Sequence, residues 1–135
     1  MIIAVDTNVI SELTKPEPEP KVVNWVFEQP PDTLVIPSIC LAELSRGVRS
    51  LPAGNRRRRI EAVLRDNLSK LPVLVFDARS AEIYGSITTS RGRPVATLDA
   101  MIAATCIAHN TVLATHNTKD FEEFPLTLIN PWDPR

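Results

Sequence analysis

Short, wholly apolar runs alternate with amphipathic stretches along this chain, and polar or proline-rich breaks separate them. Ile2 to Val5 is apolar and mostly β-branched and stops at Asp6-Thr7-Asn8, the pattern of a central parallel strand turning into a helix. Thr7 to Leu13 reads as that helix. The alternating prolines of Lys15-Pro16-Glu17-Pro18-Glu19-Pro20 end it and form a stiff extended connector, too short to separate two domains. A helix is expected from about Lys21 to Glu28, with Val22, Val23 and Val26 on one side. A second buried strand is expected from Thr33 to Ile36, closed by Pro37. Ser38 stands where an N-cap would, ahead of Ile39-Cys40-Leu41-Ala42-Glu43-Leu44, which has the apolar density of a core-facing helix.

Beyond a loop at Leu51 to Gly54, the pattern predicts a helix from about Asn55 to Ser69 and a third strand at Val73 to Phe76. Asp77 is placed to cap a helix from Ala78 to Ser90. A loop at Arg91-Gly92-Arg93-Pro94 leads to Thr97-Leu98-Asp99 and a nearly all-apolar helix through Ala108. Thr111 to Ala114 and Leu126 to Ile129 are the remaining strands. Strands alternating with helices predict one α/β domain over residues 1–135, with a twisted, mainly parallel sheet of about four to five strands flanked by helices. No internal repeat is present.

Composition narrows the function classes. A chain of 135 residues with 44% apolar and 23% charged residues suits a folded domain with a real core, not a disordered tail. No apolar run approaches the roughly 20 residues needed to cross a bilayer. The N-terminus lacks the basic start and apolar stretch of a secretory signal, so a cytoplasmic location away from membranes is expected. Cys40 and Cys106 lie in apolar surroundings and read as small buried hydrophobes, not as a disulfide. The net charge of −1 gives no global sign of a nucleic-acid partner, but the charge is unevenly spread. Leu44 to Lys70 holds Arg46, Arg49, Arg56 to Arg59, Arg65 and Lys70 against Glu61 and Asp66, a local +6. That surface is either a solvated helix face or a footprint for phosphates or an acidic partner segment.

Three acids interrupt apolar segments beside strand ends. Asp6 follows the first strand, Glu43 stands inside Ile-Cys-Leu-Ala-Glu-Leu, and Asp99 opens the apolar helix. Each has a plain reading: a helix cap for Asp6, a snorkelling acid for Glu43, a macrodipole partner for Asp99. Parallel topology, however, gathers the carboxyl ends of strands on one edge, where ligands bind in open α/β sheets. Three carboxylates there repel and raise one another's pKa unless cations neutralise them. Oxygen donors select Mg²⁺ or Mn²⁺, and no Cys/His cluster points to zinc. Such an ion activates water and offsets phosphate charge, the usual equipment for phosphodiester hydrolysis. Asn117 and Asp120, after the strand at Thr111 to Ala114, are further candidates for the site; Asp120 also reads as a cap of the short helix before Pro125. Arg46, three residues after Glu43, is placed to contact a phosphate or to pair with Glu43. His109 and His116 have no partner at metal-ligand spacing and read as loop or surface residues; Trp25 and Trp132 read as packing residues.

Taken in series, Val5-Asp6-Thr7-Asn8-Val9-Ile10, Ala42-Glu43-Leu44, Asp99-Ala100-Met101-Ile102-Ala103-Ala104-Thr105, Thr115-His116-Asn117-Thr118-Lys119-Asp120-Phe121 and Ile129-Asn130-Pro131-Trp132 resemble the PIN-domain family, and within it the VapC-type toxins of bacterial toxin–antitoxin pairs. The resemblance spans essentially the whole chain in the correct order. It implies a PIN-like fold and an acidic site of Asp6, Glu43 and Asp99 that binds Mg²⁺ or Mn²⁺ and cuts single-stranded or looped RNA. Asn117 matches the place where many members carry a fourth acid, a departure that Asp120 is close enough to compensate. Thr7 and Thr115 match small hydroxyl residues lining such sites and, with Arg46, are the expected substrate contacts. The resemblance further implies a homodimer, a cognate antitoxin that blocks the cleft, and assembly into a larger toxin–antitoxin complex. Two alternatives stand beside it. One is a phosphotransferase using Asp6 as nucleophile, disfavoured because Asn8 occupies the position of its second acid. The other is a catalytically weak module that keeps the fold and binds RNA or antitoxin.

Overall fold

The computed structural model describes residues 1–89 and 96–134. Among them are the strands β1 (Ile3–Val5), β2 (Leu34–Pro37), β3 (Val73–Leu74), β4 (Val112–Ala114) and β5 (Leu128–Ile129). The helices are α1 (Thr7–Leu13), α2 (Pro20–Glu28), α3 (Ser38–Arg49), α4 (Asn55–Leu68), α5 (Ala78–Thr89), α6 (Thr97–Ala108) and α7 (Thr118–Phe121). The loop expected at Arg91 to Pro94, and Ser90 at the end of the expected helix, lie outside the described residues.

All strand pairs are parallel, in the order β3-β2-β1-β4-β5. Ala4 sits between Val35 and Leu113 in register, which explains why β1 tolerates no polar side chain: Ile3, Ala4 and Val5 are all buried. The chain winds outward from β1 through β2 to β3, then crosses back to β4 and β5. With right-handed crossovers, α1 to α4 cover one face of the sheet and α5 to α7 the other. Contacts of α1 with α2 and α3, of α3 with α4, and of α6 with α5 and α7 follow that division, and a contact of α3 with α6 joins the two layers. The reversal places a topological switch point between β1 and β4, where a crevice opens at the carboxyl ends of the strands.

Local chemistry sets the ends of these elements. Asp77 accepts the backbone N–H of Ser80 at 2.9 Å and so caps α5 as its sequence suggests. Helix α6 stops at Asn110, whose left-handed φ of 55° is tolerated by its short polar side chain. Around it Thr111 N–H donates to the Cys106 carbonyl at 3.0 Å and Asn110 N–H to Ile107 at 3.2 Å, a Schellman closure that aims the chain into β4. Ser38 is not the cap of α3. Pro37 holds that position with no side-chain cap, and the Ser38 hydroxyl instead accepts from Phe76 N–H at 3.2 Å, tying α3 to the segment after β3. Cys40 and Cys106 are free and buried. Among the described residues no helix is long and apolar enough to cross a membrane.

Candidate functional site

Asp6 leaves the end of β1 and caps α1, so its backbone is set by the sheet and its carboxylate by the helix. It is only 5% exposed, yet both oxygens are occupied. Thr7 N–H donates to Oδ1 at 2.7 Å and the Thr115 hydroxyl donates to Oδ2 at 2.7 Å. Thr115 follows the last residue of β4, so this second bond bridges the switch point directly. The Asn8 amide adds a 3.3 Å contact to Oδ2 and a 3.3 Å contact to Thr115 Oγ1. On the other side the Cys40 thiol points at Oδ1, 3.6 Å away.

Glu43 reaches the same crevice from α3, where Cys40 and Leu44 are buried on the inward face. The Thr7 hydroxyl donates to Glu43 Oε1 at 2.8 Å, so Thr7 links the two acids, backbone to Asp6 and side chain to Glu43. Asp99 arrives from the first turn of α6, the helix whose remaining length is almost entirely buried. Its carboxyl is pushed up to about 6, first by burial and then by the charges of Asp120, Asp6 and Glu43. A helix N-terminus favours a carboxylate by about 0.3–1 kcal/mol; here burial and three like charges outweigh it.

The sequence-predicted acids Asp6, Glu43 and Asp99 therefore share one electrostatic neighbourhood, and Asp120 belongs to it. Asn117 contributes its backbone, donating N–H to Thr115 Oγ1 at 3.0 Å; its side chain makes no cap bond to α7. Asp120 lies inside α7, not at its cap position, and is exposed. Arg46 is exposed and forms no ion pair with Glu43. Thr115 is fully buried, and its hydroxyl is spent on Asp6.

Sequence reasoning missed two members of this site. Asn8 is a spacer between Asp6 and the segment after β4, since its Oδ1 also accepts His116 N–H at 3.1 Å. Cys40 falls within 4.8 Å of both Asp6 and Glu43 at ligand-atom level; its i, i+3 spacing to Glu43 was the available signal. Burial, then the Asp6 charge, pushes the Cys40 thiol well above the ordinary range, so it stands beside the acids as a neutral S–H donor. The oxygen set fits a hard divalent cation. Asp6, Glu43 and Cys40 bring their donor atoms within 4.8 Å of one another, and Asp99 stands within electrostatic reach of Asp6, Glu43 and Asp120. No lysine or arginine ion pair to these acids is present among the described residues, and the donors are of the kind that hold a hard divalent cation.

The sequence model of the PIN domain matches residues 3–125. The chain belongs to the PIN-domain family. The chain is 39% identical to the VapC ribonuclease Y4jK of Sinorhizobium fredii, over 98% of its own length and 99% of that protein. Among solved structures it resembles FitAB bound to a DNA fragment, with a TM-score of 0.87, 31% identity and coverage of 99% of this chain and 98% of that one. It also resembles VapBC2 from Rickettsia felis bound to a DNA fragment from its promoter, with a TM-score of 0.82, 30% identity and coverage of 98% and 100%. PIN nucleases generally use a divalent metal, and the acidic crevice is where this PIN domain has the donors to hold one.

Proposed function

We propose that this PIN domain is a Mg²⁺- or Mn²⁺-dependent endoribonuclease, the toxin of a type II toxin–antitoxin pair, acting as a homodimer that a cognate antitoxin holds in check. The observation that carries the reading is the meeting of Asp6 and Glu43 at the switch point, with Asp99 and Asp120 in electrostatic reach and no lysine or arginine ion pair to these acids among the described residues. The likeness to a protein named VapC ribonuclease and to FitAB and VapBC complexes supports the substrate class and the partner.

A bound divalent cation would supply Lewis-acid activation of water and offset charge on the attacked phosphate. The chain's own part is positioning. Asp6, Glu43 and Asp99 are the metal-holding acids, with Asp120 as the fourth. Thr7 and Thr115 hold the carboxylates of Glu43 and Asp6 in place, which would lower the side-chain entropy lost on holding a cation. Asp99, whose carboxyl is raised to about 6, would be largely ionised at neutral pH and so able to serve as one of the cation's oxygen donors. Arg46 stands on the exposed side of α3 as a phosphate contact. A phosphotransferase with Asp6 as nucleophile fits poorly, because Asn8 stands where its second acid would and its amide lies 3.3 Å from Asp6 Oδ2.

The test is cleavage of a labelled structured RNA by the purified protein with Mg²⁺, with Mn²⁺ and with chelator, alongside Asp6→Asn. Cleavage that requires the metal and vanishes in Asp6→Asn is expected. Cleavage that survives chelator and substitution overturns the metal mechanism. Tight RNA or antitoxin binding with no cleavage under any condition would make the protein a binding module instead.

A further inference from the structure

Thr115 follows β4 and bonds to Asp6, and the residue after it carries an exposed aromatic ring. The His116 imidazole lies over the indole of Trp132, with ring centroids 4.1 Å apart and planes 13° from parallel. Trp132 is half-buried and packs against the core, whereas His116 is exposed. The indole therefore backs one face of the imidazole, while the histidine as a whole is exposed to solvent. Neither ring nitrogen of His116 hydrogen-bonds to a described residue; the residue is tied to Asn8 through its backbone N–H.

The pair is held from both sides. His116 N–H donates to Asn8 Oδ1 at 3.1 Å, and the same Asn8 side chain contacts Asp6 Oδ2 at 3.3 Å. Trp132 N–H donates to Asn130 Oδ1 at 3.0 Å, and pairing of β5 with β4 brings that turn alongside. One asparagine thus spans from the stacked rings to the buried acid, fixing their spacing. An exposed flat ring, backed by an indole and joined through Asn8 to Asp6, contributes little to the core. Stacking on such a ring is how single-stranded nucleic acid is commonly seated, because every base offers a π-face.

We propose that His116, backed by Trp132, is a nucleobase-stacking platform that seats a base of single-stranded RNA next to the acid cluster. This rests on the ribonuclease reading and adds a specificity element to it. The platform would read unstacked bases without a strong sequence preference, and would favour loops over paired stems, whose bases are unavailable for stacking.

The test compares binding of a labelled, mixed-sequence single-stranded RNA with binding of a matched oligonucleotide of abasic spacers, by fluorescence anisotropy with Ca²⁺ in place of Mg²⁺. Mg²⁺-dependent cleavage of the same RNA is followed in parallel. The wild-type protein is expected to prefer the base-bearing strand by about five- to a hundredfold, the range for one stacked base. His116→Ala should lose most of that preference and raise KM while largely preserving kcat; His116→Phe, which restores the π-face, should recover it. Equal wild-type affinity for the two strands, or an unchanged preference in His116→Ala, overturns the platform. So does a His116→Ala variant that alters only antitoxin binding. Cleavage without base preference retires the platform alone, whereas absence of both cleavage and binding retires the ribonuclease reading with it.

Discussion

Asp99 shows how a single carboxyl couples stability to metal binding. Its pKa of about 6 exceeds the ordinary aspartate value of about 3.9, so the folded state binds this proton more tightly than the unfolded chain does. Stability from this group is therefore fully present below about pH 4 and is lost as pH rises through about 6. Asp99→Asn should raise the thermal midpoint of the metal-free protein at pH 7–8 by a few degrees. That corresponds to roughly 1 kcal/mol after discounting for solvent screening, with little effect near pH 4. The same variant should lose the midpoint increase that Mg²⁺ or Mn²⁺ gives the wild type. Metal affinity of the wild type should strengthen between about pH 5 and 7 and then level off. A metal-free Asp99→Asn protein less stable than wild type at pH 8 would show that the acids do not repel. Thr115 makes a complementary case. Thr115→Val keeps the volume but strips a donor from buried Asp6 and an acceptor from Asn8 and Asn117. A cost of about 1–3 kcal/mol in denaturant midpoint analysis is expected, with weaker metal binding because Asp6 loses its orientation. That Asp6, Glu43 and Asp99 come within reach of one another was legible in the sequence, since each acid interrupts an apolar segment beside a strand end and parallel topology gathers those ends. Cys40, Asn8 and the His116–Trp132 stack were not. The stack joins residues whose meeting depends on β5 lying beside β4, which no local pattern records.

Among the elements, long and periodic segments were the most legible. Helix α1 spans Thr7–Leu13 and α6 spans Thr97–Ala108, as their apolar patterns indicate, because a proline connector and a left-handed Asn110 leave little choice of ending. The third strand was expected to reach Phe76 but ends at Leu74. It is an edge strand with only β2 beside it, so its apolar residues are not all held by a ladder, and Val75 is half exposed. The proline connector carries a contact that composition does not reveal. Glu12, buried on α1, accepts Glu19 N–H at 2.9 Å and pairs with Lys15 at 2.8 Å, clasping both ends of the Lys15 to Pro20 segment. These two bonds, that to Lys15 first, hold the Glu12 carboxyl below its usual range. Its stabilisation is thus present above the unfolded value of about 4.3 and lost as pH falls through the lower folded one. Glu12→Gln should cost about 1–2 kcal/mol at pH 7 and cost progressively less as pH falls below 4. Urea midpoints at pH 7 and pH 3.5 would check this. A cost that stays the same at both would mean the charge contributes nothing.

For the whole molecule, arginines concentrate along α3 and α4, whereas Asp6, Glu43, Asp99 and Asp120 lie within electrostatic reach of one another at the crevice. Not every arginine there is available to a substrate. Arg57 is bound to Glu61 at 3.0 Å, Arg58 to Asn55, and Arg59 to the Thr14 carbonyl at 2.8 Å, so Arg59 joins α4 to the end of α1. Arg46, Arg49, Arg56 and Arg65 are exposed, and no side-chain hydrogen bond or ion pair engages them among the described residues. The local charge of +6 read from sequence therefore overstates the surface free to meet phosphates, and only structure separates the engaged cations from the free ones. Arg46 and Arg49 lie on the helix that carries Glu43 into the crevice, so RNA entering the site would pass them. Each phosphate neutralised on a single strand contributes about −0.7 to the slope of log affinity against log salt. Replacing both Arg46 and Arg49 by alanine should flatten that slope by about 1.4 and weaken binding most at low salt, leaving the thermal midpoint within about a degree of wild type. Arg59→Ala should do the reverse, lowering the midpoint through the lost α4–α1 bond while changing the slope by less than one phosphate's worth. If the double variant left the slope untouched, the RNA path would have to approach the acids from the α7 side, and the arginines of α3 and α4 would remain a surface for the acidic partner alone.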